Sequence, residues 1–65
     1  MPVITIEAGK MDKEVKVKLI KELVQKASEI TKIPEQSFVM LIKENEYDNI
    51  GIGAQPLSEI LAEHK

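Results

Sequence analysis

The sequence contains no cysteine, no tryptophan and no arginine, and its 65 residues include one histidine, one tyrosine and one phenylalanine. Each shortage excludes something. Without cysteine there are no disulfides and no thiolate zinc sites. The lone histidine, His64, stands next to the C-terminus and cannot anchor a metal centre by itself; a surface position is expected for it. With aromatics at 3%, packing must rest on aliphatic side chains. All nine basic residues are lysines, interleaved with eleven acids for a formal charge of −2, so there is no basic patch to bind nucleic acid. No apolar run approaches the roughly 18 residues of a membrane span. The opening MPVITIEAGKMDKE lacks the charged start and apolar stretch of a signal peptide, and a cytoplasmic location is expected.

What is present fits one small domain over residues 1–65, 43% hydrophobic. A chain this short buries only about 60% of its unfolded surface and usually needs disulfides, a metal or partner subunits. With the first two excluded, oligomerisation is left.

Val3–Ala8 alternates and is rich in β-branched residues, which predicts a strand with Ile4 and Ile6 on one face and Val3 and Thr5 on the other. Gly9 breaks it, and Asp12 is a suitable N-cap. From Lys13 to about Thr31 the period changes: Val17, Ile20, Val24 and Ala27 recur at helical steps, flanked by Leu19, Leu23 and Ile30. Pro34 stops the helix within a few residues. Ser37–Ile42 predicts a second strand, with Phe38, Met40 and Ile42 on one face and Val39 and Leu41, ending in Lys43, on the other. Both faces are apolar, so both need cover. One helix covers one side; another subunit is the simplest cover for the second. Strand, long helix, strand is a βαβ unit with parallel strands. A polar turn follows at Glu46–Asn49, then Ile50-Gly51-Ile52-Gly53-Ala54, whose glycines suggest a hairpin, bulge or close backbone approach. Pro56–Leu61 is read as a final helical turn or a docked tail. The fold class is α/β (α+β).

Pro2 behind Met1, a short strand, Gly9-Lys10, one long helix, a second strand and Asn49-Ile50-Gly51-Ile52-Gly53 together resemble the 4-oxalocrotonate tautomerase family over nearly the whole chain. The resemblance implies a βαβ unit with a C-terminal hairpin, two subunits pairing into a four-stranded sheet, and dimers assembling further, usually to hexamers. It also implies catalysis by the amino-terminal proline. Chemically, once Met1 is removed, the Pro2 nitrogen is a secondary amine rather than an amide. Desolvation disfavours its charged form and brings its basicity toward the working pH. Such a base can take a proton beside a carbonyl and return it elsewhere, converting enol to ketone, with no metal or organic cofactor. With Met1 in place, Pro2 merely starts a strand.

Substrate binding fits the family pattern less closely. In well-known members an arginine after the first loop's glycine holds a substrate carboxylate. Here that position is Lys10, reached by a strand and loop about two residues shorter, and lysine lacks arginine's two-pronged geometry. The second arginine position, two residues past Ser37, is Val39, which cannot bind an anion. The aromatic residue before the glycine pair is replaced by Ile50, an apolar wall without a ring. Lys43 is a further candidate for the missing cation, and Tyr47 for a hydrogen bond to substrate. Gly51 and Gly53 lack the context of a phosphate loop.

The resemblance thus implies a cofactor-free keto-enol tautomerase acting on a small enol or keto acid, with Pro2 catalytic and Lys10, Val39 and Ile50 at the substrate. A smaller or monocarboxylate substrate suits the replacements better than a dicarboxylate. Two alternatives stay open: hydration or dehalogenation of an unsaturated acid on the same scaffold, and a non-catalytic oligomeric module.

Overall fold

The β-branched run behind Pro2 forms β1, Val3–Ala8, and the helical period forms α1, Lys13–Thr31. The computed structural model describes residues 1–63, so His64 lies outside the described residues. Asp12 takes the N-cap position with extended dihedrals, but its side chain makes no capping bond. Instead the Glu44 carboxylate accepts the Met11 N–H at 2.9 Å and a bond from the Lys16 ammonium. At the other end Lys32 adopts the left-handed conformation, φ 64°, and its N–H donates to the Ser28 carbonyl at 2.8 Å. Pro34 then keeps the chain extended.

The second strand, β2, spans Val39–Glu44, two residues later than the pattern suggests. The reason is local: Glu35–Ser37 winds into a 3₁₀ turn, closed by the Ser37 N–H on the Pro34 carbonyl at 3.0 Å. β1 and β2 pair in parallel, from Val3 beside Val39 to Ala8 beside Glu44. Paired residues share a face, so Ile4, Ile6, Met40 and Ile42 form one apolar surface, all half-buried. α1 lies on that side, joined to β2 by the Lys16–Glu44 pair.

The opposite face carries Val3, Thr5, Val39 and Leu41, with Val3 54% and Leu41 48% exposed. The helix is also over-supplied with apolar surface. At about 100° per residue, its apolar positions from Val15 and Leu19 round to Val24 and Val17 sweep an arc of about 200°. The two-stranded sheet covers only part of it, and Val15, Val17 and Ile30 are at least half exposed.

After β2 the chain makes a 3₁₀ turn at Tyr47–Asn49 and then the predicted hairpin, β3 (Gly51–Ile52) and β4 (Gln55–Pro56). Its two-residue loop begins with Gly53 at φ 63°, a conformation glycine adopts without penalty. This antiparallel pair is a separate sheet from β1–β2. A two-turn helix, α2 (Leu57–Glu63), packs on the Tyr47–Asn49 turn. The Leu57 N–H donates to the Ile50 carbonyl at 2.7 Å, and the Ser58 hydroxyl donates to the Asp48 carboxylate.

Among the described residues none is fully buried. The protomer measures 45 × 23 × 15 Å with a radius of gyration of 15.4 Å, whereas about 11 Å is usual for a globular domain of this length. No helix among the described residues is long and apolar enough to cross a membrane.

Candidate active site

Pro2 sits immediately before β1, half-buried, and its carbonyl accepts the Val39 N–H at 3.0 Å. The backbone of the second strand therefore fixes the proline at the head of the sheet. Met1 is 88% exposed and outside the ladder. While it remains attached, the Pro2 nitrogen is an amide with no basic lone pair; its removal leaves the anchoring carbonyl in place. Val39 pairs with Val3, one residue past Pro2, on the bare face of the sheet with Val3 and Leu41.

Lys10 lies at the far end of β1. The six-residue strand, about 20 Å long at the usual rise, and Gly9 separate it from Pro2. There it borders a hollow of about 200 Å³ shared with Glu46, Tyr47, Asp48 and Ser58. The Lys10 ammonium is 2.7 Å from the Glu46 carboxylate. That hydrogen bond, then the charge of Glu46, raises the lysine's pKa above its ordinary value. Glu44, close by, is held below the ordinary carboxylate range, first by the Lys16 hydrogen bond and then by the Met11 N–H.

Tyr47 occupies the same end because Gly9 makes room for it. A Cβ on Gly9 would come within 2.7 Å of the Tyr47 ring. Ile50, half-buried, follows the turn, its N–H bonded to the Tyr47 carbonyl at 3.3 Å. Lys43 stands opposite Glu7 on the bare face of the sheet.

One protomer therefore gathers the candidate residues into two groups: Pro2 with Val39 at one end of the sheet, Lys10 with Ile50 and Tyr47 at the other. No single copy brings all of them together. The sequence reading missed Glu46, which looked like part of a polar turn. Nothing in its spacing from Lys10 marks the pair, because strand register and the turn after β2 create it. It also missed Gly9 as the seat of Tyr47, for the same reason.

Solved structures with this architecture include a 4-oxalocrotonate tautomerase and several of its homologues. An apo unfused 4-oxalocrotonate tautomerase superposes with a TM-score of 0.84 at 28% identity, covering 91% of this chain and 98% of that one. DmpI from Archaeoglobus fulgidus gives 0.81 at 26% identity, with 88% and 98% covered. TomN, a 4-oxalocrotonate tautomerase homologue of the tomaymycin biosynthetic pathway, gives 0.89 at 18% identity, with 94% and 95% covered, a likeness of fold alone. No protein of curated function matches the sequence. The family model described as tautomerase enzyme matches residues 2–60, nearly the full length of the described chain and including Pro2, and the chain belongs to that family.

Proposed function

We propose that this protein is a cofactor-independent tautomerase that interconverts enol and keto forms of a 2-oxo acid in the cytoplasm, with processed Pro2 as general base and then general acid. The observation that carries the reading is the placement of Pro2. It is the last residue before β1, anchored through its carbonyl, so that loss of the exposed Met1 exposes a secondary amine at a fixed position.

In the forward direction the Pro2 nitrogen takes the enol hydroxyl proton; the O–H electrons form the C=O bond as the C=C electrons shift onto the far carbon. That carbon then takes the proton back from the prolinium, which returns to the free amine. No net proton is gained or lost. Lys10 binds the carboxylate of the substrate, and Val39 and Ile50 form apolar wall. Because Lys10 and Pro2 lie at opposite ends of β1, the Lys10 that serves a given Pro2 comes from another copy. The protein acts as a homo-oligomer built from dimers, with a hexamer as the expected state. An apolar sheet face left bare, and the lack of a fully buried residue among those described, support assembly.

The test compares processed wild type with Pro2→Ala on 2-hydroxymuconate and phenylenolpyruvate, with mass analysis of the N-terminus. The expected result is a fall in kcat/KM of about 100-fold or more on replacing the base. Undiminished turnover in Pro2→Ala excludes the proline mechanism. An acid-catalysed hydration or dehalogenation of an unsaturated acid is distinguished by its pH profile, since activity would follow the protonated amine rather than the free base.

A further inference from the structure

We propose that Glu46 sets the charge selectivity of the Lys10 hollow, so that it accepts monocarboxylates and disfavours dicarboxylates. The inference rests on the reading of Lys10 as the carboxylate-binding group. In the structure that ammonium is already occupied by the Glu46 carboxylate at 2.7 Å. Asp48 lines the same hollow, its carboxylate turned to the Ser58 hydroxyl rather than to a cation. Glu44 is adjacent and shared with Lys16. Within the hollow two carboxylates, Glu46 and Asp48, thus stand against the one ammonium of Lys10, with the Glu44–Lys16 pair beside them, and the hollow is net negative before any substrate enters.

An incoming carboxylate must displace Glu46 from Lys10 and then remain beside it. One carboxylate meets that opposition once. A second one on the same substrate adds repulsion from Glu46 and Asp48 with no further cation among the hollow's residues to offset it. Both members of the Lys10–Glu46 pair are largely exposed in the free protomer, where such a pair is weak. Cover by a neighbouring copy lowers the local dielectric and strengthens both the attraction and the repulsion. Glu46 is a positioning and specificity residue; it need not touch the reacting atoms.

The experiment uses the processed oligomer and a matched pair of probes, 2-oxohexanoate and 2-oxoadipate, which differ in the second carboxylate. Calorimetric titration of wild type is expected to show tighter binding of 2-oxohexanoate. Glu46→Gln should tighten 2-oxoadipate about tenfold and 2-oxohexanoate about threefold, as expected for removal of one charge acting on two carboxylates or on one at contact range. The double variant Lys10→Gln/Glu46→Gln should lose that gain. In wild type, raising the ionic strength should narrow the gap between the probes, a readout that needs no variant. An unchanged preference in Glu46→Gln overturns the proposal, as does a gain that persists without Lys10, or failure of both acids to bind. The Pro2→Ala assay stands apart. If Pro2→Ala remains active while Glu46→Gln shifts the preference, the proline mechanism falls and the selectivity device stands. If Pro2→Ala is inactive and the preference is unmoved, only the selectivity device falls.

Discussion

A single missing side chain shapes one end of the sheet. Gly9 has no Cβ, and the Tyr47 ring fills the space where one would be. This contact fastens the turn after β2 to the loop after β1, bringing Glu46 within reach of Lys10. Gly9→Ala must push the ring aside. Tyr47 is 45% exposed, so the ring can swing outward and the fold should survive with a loss of about 1 kcal/mol. Tyr47 is the only tyrosine and the chain has no tryptophan, so intrinsic fluorescence reports directly on this contact. Altered tyrosine emission with unchanged far-ultraviolet circular dichroism is expected; unaltered emission would show that the ring does not depend on Gly9. The sequence names Pro2, Lys10, Val39 and Ile50 as candidates, and its strand over Val3–Ala8 already sets Pro2 and Lys10 at opposite ends. Which of the later residues stands at which end was not legible, because it follows from strand register and from the turn after β2.

Among the elements, the start of α1 depends on β2 more than on its own cap. Asp12 holds the N-cap position without a side-chain bond, while Glu44 accepts from Met11 and Lys16 across the sheet. The folded-state pKa of Glu44 is lowered relative to the unfolded chain. Its contribution is therefore fully present above the ordinary carboxylate range and is lost as the pH falls through the lowered value. Glu44→Gln should melt below wild type at neutral pH, and the gap should close on acidification through the carboxylate range. Thermal melts at neutral and acidic pH check this; a gap that does not depend on pH would assign the loss to something other than the charge. Helix period predicted α1 well because nineteen residues give it many repeats. The start of β2 was misplaced because Glu35–Ser37 spends the residues after Pro34 on a 3₁₀ turn. For the last helix the sequence pattern allows a helical turn or a docked tail alike, since a seven-residue segment carries little period of its own.

For the whole molecule, an elongated protomer with no fully buried residue among those described lacks the closed core that makes a small domain stable alone. If assembly supplies the core, stability depends on protein concentration. The melting temperature should rise with concentration over the micromolar range. Leu41→Glu places a charge in the bare face of β1–β2, where Leu41 is 48% exposed in the protomer. Sedimentation should then find smaller species, with lower thermal stability. Assembly unaffected by that change would place the interface on another surface. Activity should fall with assembly if Pro2 and Lys10 of different copies share a site.

The sequence by itself determined the elements and their class. Alternating β-branched residues, a long helical period and glycines spaced for a hairpin are local signals, each read within a few turns of chain. It also determined that one sheet face would be left without cover, since one helix cannot cover the two apolar faces of β2. The tertiary structure decided which side chains meet. Parallel pairing set Val3 beside Val39, and with the turn after β2 it brought Glu46 onto Lys10. Such contacts join residues more than thirty positions apart in sequence, and no local pattern encodes them. They arise when register, turn geometry and the space over Gly9 are satisfied together.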